Sequence, residues 1–315
     1  MPQHKTGPNT RRNRHTAIRN RALELSPFTY ASRTIANERH PHRNEDSVLV
    51  EQTTGLVAVF DGVGGSAAGE IASRTAAQAT RHGWRRVLKQ HQKGRRTLTL
   101  LDNCNELDLC AILQDLILES DELVRSDGAQ RAGTDDLATT VALGVLCRKP
   151  GTNDHKMVFA HVGDSRIYLL REQERIRRLT SDDGLLAKLV ENQIVNEHEA
   201  LHIDQAMEAR QLSDIEFNYF RLRGGITQAL GGPLPPTIHT ATLDIQIGDR
   251  ILLCTDGIHD NLIDDEIEHI LKSTPRTAVA RNLVEKALER SRQESSTTIR
   301  AKPDDMSAIV LTCRF

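Results

Sequence analysis

Short runs of Val, Ile and Leu, each bounded by Gly, Asp or Asn, recur along the chain from Phe28 onward. Runs of this length and composition are typical of β-strands. The predicted strands are Ser47–Glu51, Leu56–Phe60, Thr139–Leu146, Met157–Val162, Ile167–Leu170, Arg250–Thr255 and Ala308–Thr312. Apolar residues at helical spacing predict helices over Ser66–Gln90, Glu106–Arg125 and Thr277–Arg292. Because strands and helices each occur in groups, we expect an α+β fold with antiparallel sheets rather than a parallel βαβ fold.

The 315 residues show no internal repeat and no linker between domains. We therefore expect one large domain over residues 28–315, preceded by a separate N-terminal segment. Residues 1–27 are rich in Lys and Arg and poor in apolar side chains, which predicts a flexible basic arm, either solvated or in contact with an anionic partner. Residues 184–224 contain polar helical sequence, which predicts an inserted subdomain at the surface.

Composition argues against several classes of protein. The chain has 41 basic and 43 acidic residues, so it lacks the overall positive charge that nucleic-acid-binding proteins show. No segment reaches the roughly 18 consecutive apolar residues of a membrane span, and no apolar stretch follows the first basic residues as in a secretory signal. The 5 cysteines form no CxxC pair. We expect a cytoplasmic protein without nucleic-acid or membrane partners.

Acidic residues stand where several predicted strands begin or end. They are Glu45, Asp46, Asp61, Asp164, Asp256, Asp304 and Asp305. Each one alone is most simply a turn signal. If the sheets bring them together, however, the carboxylates would repel one another unless cations neutralise them. Mg²⁺ and Mn²⁺ prefer such oxygen ligands, and a pair of these ions activates water and stabilises charge on a phosphoryl oxygen.

These acidic residues belong to an ordered series of short motifs. The series is Asn44-Glu45-Asp46-Ser47, Asp61-Gly62-Val63-Gly64-Gly65, Thr139-Thr140, Val162-Gly163-Asp164-Ser165-Arg166, Leu179-Thr180-Ser181-Asp182, Ile226-Thr227-Gln228-Ala229-Leu230-Gly231, Thr255-Asp256-Gly257 and Asp304-Asp305. With these motifs the chain from about Phe28 to Phe315 resembles the PPM family, the metal-dependent Ser/Thr protein phosphatases of type 2C. With Val63 in the Asp-Gly-Val-Gly-Gly motif, the chain resembles the compact bacterial-type members of this family.

The resemblance implies a four-layer α-β-β-α sandwich in which two central antiparallel sheets are flanked by helices. It implies two Mg²⁺ or Mn²⁺ ions and a third, weaker metal position formed by Asp164 and Asp256. The implied metal ligands are Asp46, Asp61, Gly62, Asp164, Asp256 and Asp305. Glu45, Asp46 and Asp61 take the implied catalytic roles, and Asp260 supports the water network.

The implied reaction is attack of a metal-bridging hydroxide on the phosphorus of phosphoserine or phosphothreonine. The implied partners are phosphorylated proteins and a cognate Ser/Thr kinase. Residues 184–224 match the variable flap beside the family's active site, which helps to select the substrate.

The chain departs from the family pattern at two positions. Pro41 stands where many members carry a phosphate-binding Arg, four residues before Glu45. Arg39 and Arg43 have the same parity as Pro41, so in an extended strand either one points the same way and binds phosphate, unless both are surface charges. Val63 stands where many eukaryotic members have a His that protonates the leaving group. That proton is then assigned to a metal-bound water or another group.

Two other readings of the sequence stay open at this point. A catalytically silent member of the same fold would bind phosphoproteins or a regulator, and loss of the carboxylates would be its signature. A phosphotransferase with an Asp nucleophile would need a second carboxylate two residues after the first. Val63 occupies that position after Asp61, which counts against the phosphotransferase.

Overall fold

The computed structural model describes residues 27–63, 68–94, 96–103, 107–134, 136–294 and 296–314. The predicted basic arm therefore lies outside the described residues, apart from its last position. The strands in the described ranges are β1 (Phe28–Ile35), β2 (Asp46–Glu51), β3 (Leu56–Val63), β4 (Ala138–Thr139), β5 (Val141–Arg148), β6 (His155–Val162), β7 (Arg166–Leu170), β8 (Arg177–Arg178), β9 (His239–Ile245), β10 (Arg250–Cys254) and β11 (Met306–Cys313).

The strands form two antiparallel sheets. The first sheet has the order β1-β11-β10-β7-β8, and the second has the order β2-β3-β5-β6-β9 with β4 beside β3. Every predicted strand is present, with shifted ends, but the prediction missed β1, β8 and β9. All three lie at sheet edges, where no continuous apolar run is required, and β8 has only 2 residues.

The central strands are buried on both faces, as β3 shows. Leu56, Ala58 and Phe60 pack on the helices outside the second sheet, whereas Val57 and Val59 pack against the first sheet. This alternation follows from the two-residue period of a strand. Burial on both faces also explains why these strands read as continuous apolar runs in the sequence.

Helices cover the outer face of each sheet. The helices are α1 (Ala68–His91), α2 (Leu109–Leu123), α3 (Ala129–Ala132), α4 (Leu185–Glu191), α5 (Glu197–Asp204), α6 (Asp214–Leu222), α7 (Asp256–His259), α8 (Asp264–Ser273) and α9 (Val279–Ser291) in the described ranges. α1 and α2 pack on the second sheet, and α8 and α9 pack on the first. The four-layer α-β-β-α sandwich is therefore confirmed. Of the helices described, none combines the length and the apolar character needed to span a bilayer.

The segment between β8 and β9 forms a small helical unit. α4, α5 and α6 pack around Val195, Ile203 and Phe220, which form a separate apolar cluster. α5 and α6 each begin at a capping box, in which Asn196 and Ser213 accept from the backbone of the third helical residue. The polar helical sequence predicted over residues 184–224 is thus helical, while its role as a flap stays a prediction.

Candidate metal centre

Two neighbouring strands of the second sheet place the first carboxylates. Asp46 begins β2 and lies directly opposite Asp61 in the antiparallel register with β3. Thr255, which follows β10 of the other sheet, donates from Oγ1 to Asp46 Oδ2 at 2.8 Å. Asp46 Oδ1 is buried and accepts no hydrogen bond from any described residue. A buried carboxylate oxygen in that state calls for a ligand outside the protein chain.

The first sheet supplies carboxylates at the same end of the sandwich. Asp256 begins α7 just after β10, and Asp304 comes shortly before β11. Asp164 lies in the turn that joins β6 of the second sheet to β7 of the first. Residues far apart in sequence therefore meet because β-strands of both sheets start or stop at this edge.

The electrostatics show that these carboxylates face one another. Burial and then the nearby carboxylates hold the pKa of Asp61 well above its usual range; in order of effect these neighbours are Asp256, Asp46, Asp304 and Asp164. Burial and Asp256 likewise raise the pKa of Asp164, and raise that of Asp304 to about 7. A buried cluster of like charges is stable in its ionised form only with cations nearby. A set of carboxylate oxygens fits hard divalent ions such as Mg²⁺ or Mn²⁺.

Gly62 is required by packing at the end of β3. Its N–H donates to the carbonyl of Glu45 at 3.0 Å. A Cβ at this position would lie 2.2 Å from the carbonyl oxygen of Gly69 and 2.6 Å from that of Glu45. Only glycine fits between these two backbone segments, so α1 can approach the carboxylates closely. The role of the Gly62 carbonyl as a metal ligand stays a prediction.

Asp305 lies differently from the position expected of a ligand. Its Oδ1 accepts the N–H of Asn37 at 2.6 Å, and its Oδ2 accepts the N–H of Glu45 at 2.6 Å. Both oxygens thus hold the loop before β2, whereas Asp304 faces Asp61 and Asp256. The geometry favours Asp304 over the predicted Asp305 as a ligand. Two adjacent aspartates at a strand start cannot be distinguished from sequence alone.

The loop between β1 and β2 is a turn, so the parity argument for the two arginines was wrong. Both arginines nevertheless lie near the centre. Arg43 Nε is 3.5 Å from Glu45 Oε1. Arg39 lines a groove of about 250 Å³ together with Asp304. His40, Glu45 and Asp305 also bring donor atoms within 4.8 Å of one another, but both Asp305 oxygens already accept backbone N–H groups.

Two cations beside Asp260 were missed by the sequence analysis. Lys302 Nζ donates to Asp256 Oδ2 at 2.5 Å and to Asp260 Oδ2 at 2.9 Å. Arg223, just after α6, donates to Asp260 Oδ1 at 3.0 Å. Burial opposes ionisation of Asp260, but Arg223 and Lys302 outweigh it and hold the pKa of this carboxyl well below its usual range. The sequence does show a lysine two residues before Asp304, but a lysine near an aspartate is too common to indicate a role at the metal centre.

Residues 36–301 match the family model described as "Protein phosphatase 2C". The chain belongs to the protein phosphatase 2C family. The matched residues include the whole second sheet, β7, β8 and β10 of the first sheet, and every carboxylate of the cluster except Asp304 and Asp305.

Individual relatives within the phosphatase 2C family are similar over most of this chain. Serine/threonine protein phosphatase PstP of Mycobacterium tuberculosis is 29% identical over 264 residues, which cover 81% of this chain but 41% of PstP. The chain therefore spans less than half of that relative. Serine/threonine phosphatase stp of Listeria monocytogenes is 27% identical over 235 residues, covering 74% of this chain and 79% of the relative.

Solved structures of the family share the fold. A crystal structure of the M. tuberculosis phosphatase PstP has a TM-score of 0.66 and 25% identity, covering 91% of this chain and 99% of that chain. The PstP catalytic domain has also been solved in complex with 2 manganese ions, with a TM-score of 0.63, 25% identity and coverage of 91% and 99%.

The raised pKa values predict how stability depends on pH. In metal-free protein, Asp46, Asp61, Asp164 and Asp304 bind protons in the folded state at pH values where they are ionised in the unfolded state. The stability that these protonated carboxyl groups contribute to the folded state is lost as pH rises through their folded-state pKa, which is about 7 for Asp304. Buried histidines such as His259 have a lowered pKa and oppose this trend only below about pH 6.5.

We therefore expect the melting temperature in EDTA to fall between about pH 6.5 and pH 8. Mn²⁺ is expected to raise it more at the higher pH, because metal ions compete with protons for the same oxygens. Thermal unfolding with and without Mn²⁺ at both pH values measures this. An equal or smaller gain at the higher pH would contradict the carboxylate cluster as the metal site.

Proposed function

We propose that this chain is a metal-dependent phosphatase that hydrolyses phosphoserine and phosphothreonine in proteins. The observation that carries the proposal is the convergence of Asp46, Asp61, Asp256 and Asp304 from both sheets at one edge. The names of its relatives, which are Ser/Thr phosphatases, support the substrate class. The neighbour solved with manganese supports Mn²⁺, and Mg²⁺ is an equally suitable ion on ligand chemistry.

The ligand set follows from the side chains that face the cluster. Asp61 lies between Asp46 and the carboxylates of the first sheet, so it is the natural shared ligand of two ions. Asp46, Asp256 and Asp304 complete the set, together with the Gly62 carbonyl. When bound, the ions supply a nucleophile from water at neutral pH and neutralise charge on the phosphoryl oxygens.

The remaining residues of the centre position the ligands. Thr255 holds one oxygen of Asp46 and leaves the other available. Asp305 fixes the backbone of Glu45, so that the Glu45 carboxylate stands beside Arg43. In this arrangement Glu45 orients water, and burial raises the pKa of its carboxyl, which makes it a better proton acceptor than an exposed glutamate.

The proposal extends to partners and location in the cell. A phosphatase of this kind reverses the action of a Ser/Thr kinase, so we propose a cognate kinase and its substrates as partners in signalling. The lack of paired CxxC cysteines in the sequence supports a reducing cytoplasm.

Phosphate release from a phosphothreonine peptide tests the proposed activity. We expect release with Mn²⁺ and none with excess EDTA. The silent-regulator alternative predicts that the peptide binds without being cleaved. Binding without release, from folded and Mn²⁺-loaded protein, would refute the enzyme and favour the regulator. The described carboxylates are those that a silent member would have lost, so the structure gives the regulator no support.

The arginine beside Glu45 is proposed to bind the substrate phosphate. Replacing Arg43 with Ala is expected to raise KM for the phosphopeptide by about 10- to 150-fold, since a hydrogen bond to a charged group contributes about 1.5–3 kcal/mol. Arg39→Ala in the adjacent groove measures whether that side chain shares the task. Arg281→Ala, on the exposed face of α9, is the matched control and should leave KM unchanged. An unchanged KM in both Arg43→Ala and Arg39→Ala would contradict phosphate binding by either residue.

A further inference from the structure

A lysine ammonium lies inside the acidic cluster. Lys302 Nζ is 2.5 Å from Asp256 Oδ2, 2.9 Å from Asp260 Oδ2 and 3.2 Å from Asp304 Oδ2. Two of these three partners, Asp256 and Asp304, belong to the proposed ligand set. An ammonium has three donors and no acceptor, so it can satisfy one oxygen on each of three carboxylates.

The backbone holds Lys302 in this position. Its N–H donates to Asn261 Oδ1 at 3.1 Å, and its carbonyl accepts from Asn261 Nδ2 at 2.9 Å. Asn261 is fully buried just after α7 and also donates to the carbonyl of Gly257. The following residue, Pro303, has a fixed φ. The ammonium is therefore delivered by an anchored segment, although the Lys302 side chain is 38% exposed.

The ammonium lies beside the third metal position that the resemblance implies, which would be formed by Asp164 and Asp256. Asp256 is a direct partner of Lys302. The Lys302 charge also acts on Asp164, where it opposes the effects of burial and of Asp256 on that carboxyl. A further divalent ion at the third position would have to displace this ammonium from Asp256 or sit against it.

With two divalent ions bound, Lys302 balances the charge of Asp61 and of the four carboxylates that act most strongly on it. The carboxylates concerned are Asp46, Asp61, Asp164, Asp256 and Asp304. Two divalent ions leave one negative charge of this group uncompensated, and Lys302 supplies one positive charge. Asp260 stands outside this balance because Arg223 pairs with it directly, with both side chains almost fully buried.

We propose that the Lys302 ammonium is a tethered cation that takes the place of a divalent ion at the third position. The inference rests on the proposed two-ion phosphatase centre. The Lys302 side chain then neutralises the carboxylates at the third position. The complete centre therefore holds two metal ions, and no metal ion binds at the third position.

Counting Mn²⁺ ions bound to the full chain tests the inference without relying on activity. We expect isothermal titration to give about two ions per chain for the wild type and one ion more for Lys302→Met, which keeps much of the stem but removes the charge. Lys302→Arg, which keeps the charge, is expected to stay at the wild-type count. Lys272→Met is the matched control, because Lys272 pairs with Glu268 on α8 away from the centre.

The outcomes separate the inference from the proposed function. A wild type that binds a third ion, or a Lys302→Met variant that gains none, would overturn the role of Lys302 and leave the two-ion centre standing. A wild type that binds no Mn²⁺ would overturn the metal centre itself, and the tethered cation with it. The number of Mn²⁺ ions bound by the wild type is measured without any variant, so it tests the inference even if Lys302→Met folds poorly.

Discussion

Replacing Asp61 with Asn is expected to lower kcat by about a thousandfold or more, since the loss of a shared ligand removes several kcal/mol of metal-derived stabilisation of the transition state. Asp61 lies opposite Asp46 in the strand register and faces the other carboxylates of the cluster. No other described side chain has the same central place. The same variant is expected to lose most of its Mn²⁺ affinity.

Metal-free Asp61→Asn is also expected to melt at a higher temperature than metal-free wild type above pH 7. Burial and the surrounding carboxylates make a charge at this position unfavourable, and Asn removes that charge while keeping the shape. Lower activity with higher apo stability distinguishes loss of a metal ligand from misfolding. Asp115→Asn, on the exposed face of α2, is the control and should change neither quantity. Wild-type activity in Asp61→Asn would contradict its assignment as the shared ligand.

The second large effect is expected at a buried ion network away from the metal ligands. Arg166, at the start of β7, is 2% exposed. Its guanidinium donates to Asp182 at 2.6 Å and to Asp204 of α5 at 3.0 Å. Burial alone would raise the pKa of Asp204, but Arg166, Arg178 and Arg300 together outweigh burial and hold that pKa far below its usual range, with Arg166 as the largest of the three. Replacing Arg166 with Met leaves the buried Asp204 and the partly buried Asp182 without their main partner.

We expect Arg166→Met to lower the free energy of unfolding by about 3–5 kcal/mol, as breaking a buried ion pair does. Denaturant titration measures this. Arg86→Met is the matched control, because Arg86 makes the same two-pronged contact with Glu119 at the surface and is expected to cost less than about 1 kcal/mol. Adding Asp204→Asn to Arg166→Met is expected to restore part of the loss. Equal effects in Arg166→Met and Arg86→Met would contradict the importance of burial.

The sandwich could be predicted from sequence because its central strands are buried on both faces. β3, β5 and β11 are continuous apolar runs for that reason. β1 and β9 escaped detection because they are edge strands with one polar face. The strand predicted at Thr139–Leu146 is divided at Thr140, whose N–H donates to the carbonyl of Asp61 at 2.8 Å. That break depends on a partner 79 residues away, which no local pattern records.

The carboxylates of the site could be predicted because each one adjoins a strand end. Which of two adjacent aspartates faces the cluster could not, since Asp304 and Asp305 differ only in the direction of their side chains. In the structure, both oxygens of Asp305 accept backbone N–H groups, which is the basis for proposing Asp304 as the ligand. Lys302 and Arg223 were missed for a related reason. Each pairs with a carboxylate that is distant in sequence and close only in the fold: Arg223 with Asp260, and Lys302 with Asp256.

A manganese anomalous difference map from a crystal grown with Mn²⁺ tests the central claim most directly. We expect two peaks that share Asp61, with Asp46 and the Gly62 carbonyl on one side and Asp256 and Asp304 on the other. We expect no peak at the third position, where Lys302 lies. Peaks bound by His40, Glu45 and Asp305 instead, or no peak beside Asp61, would contradict the proposed centre.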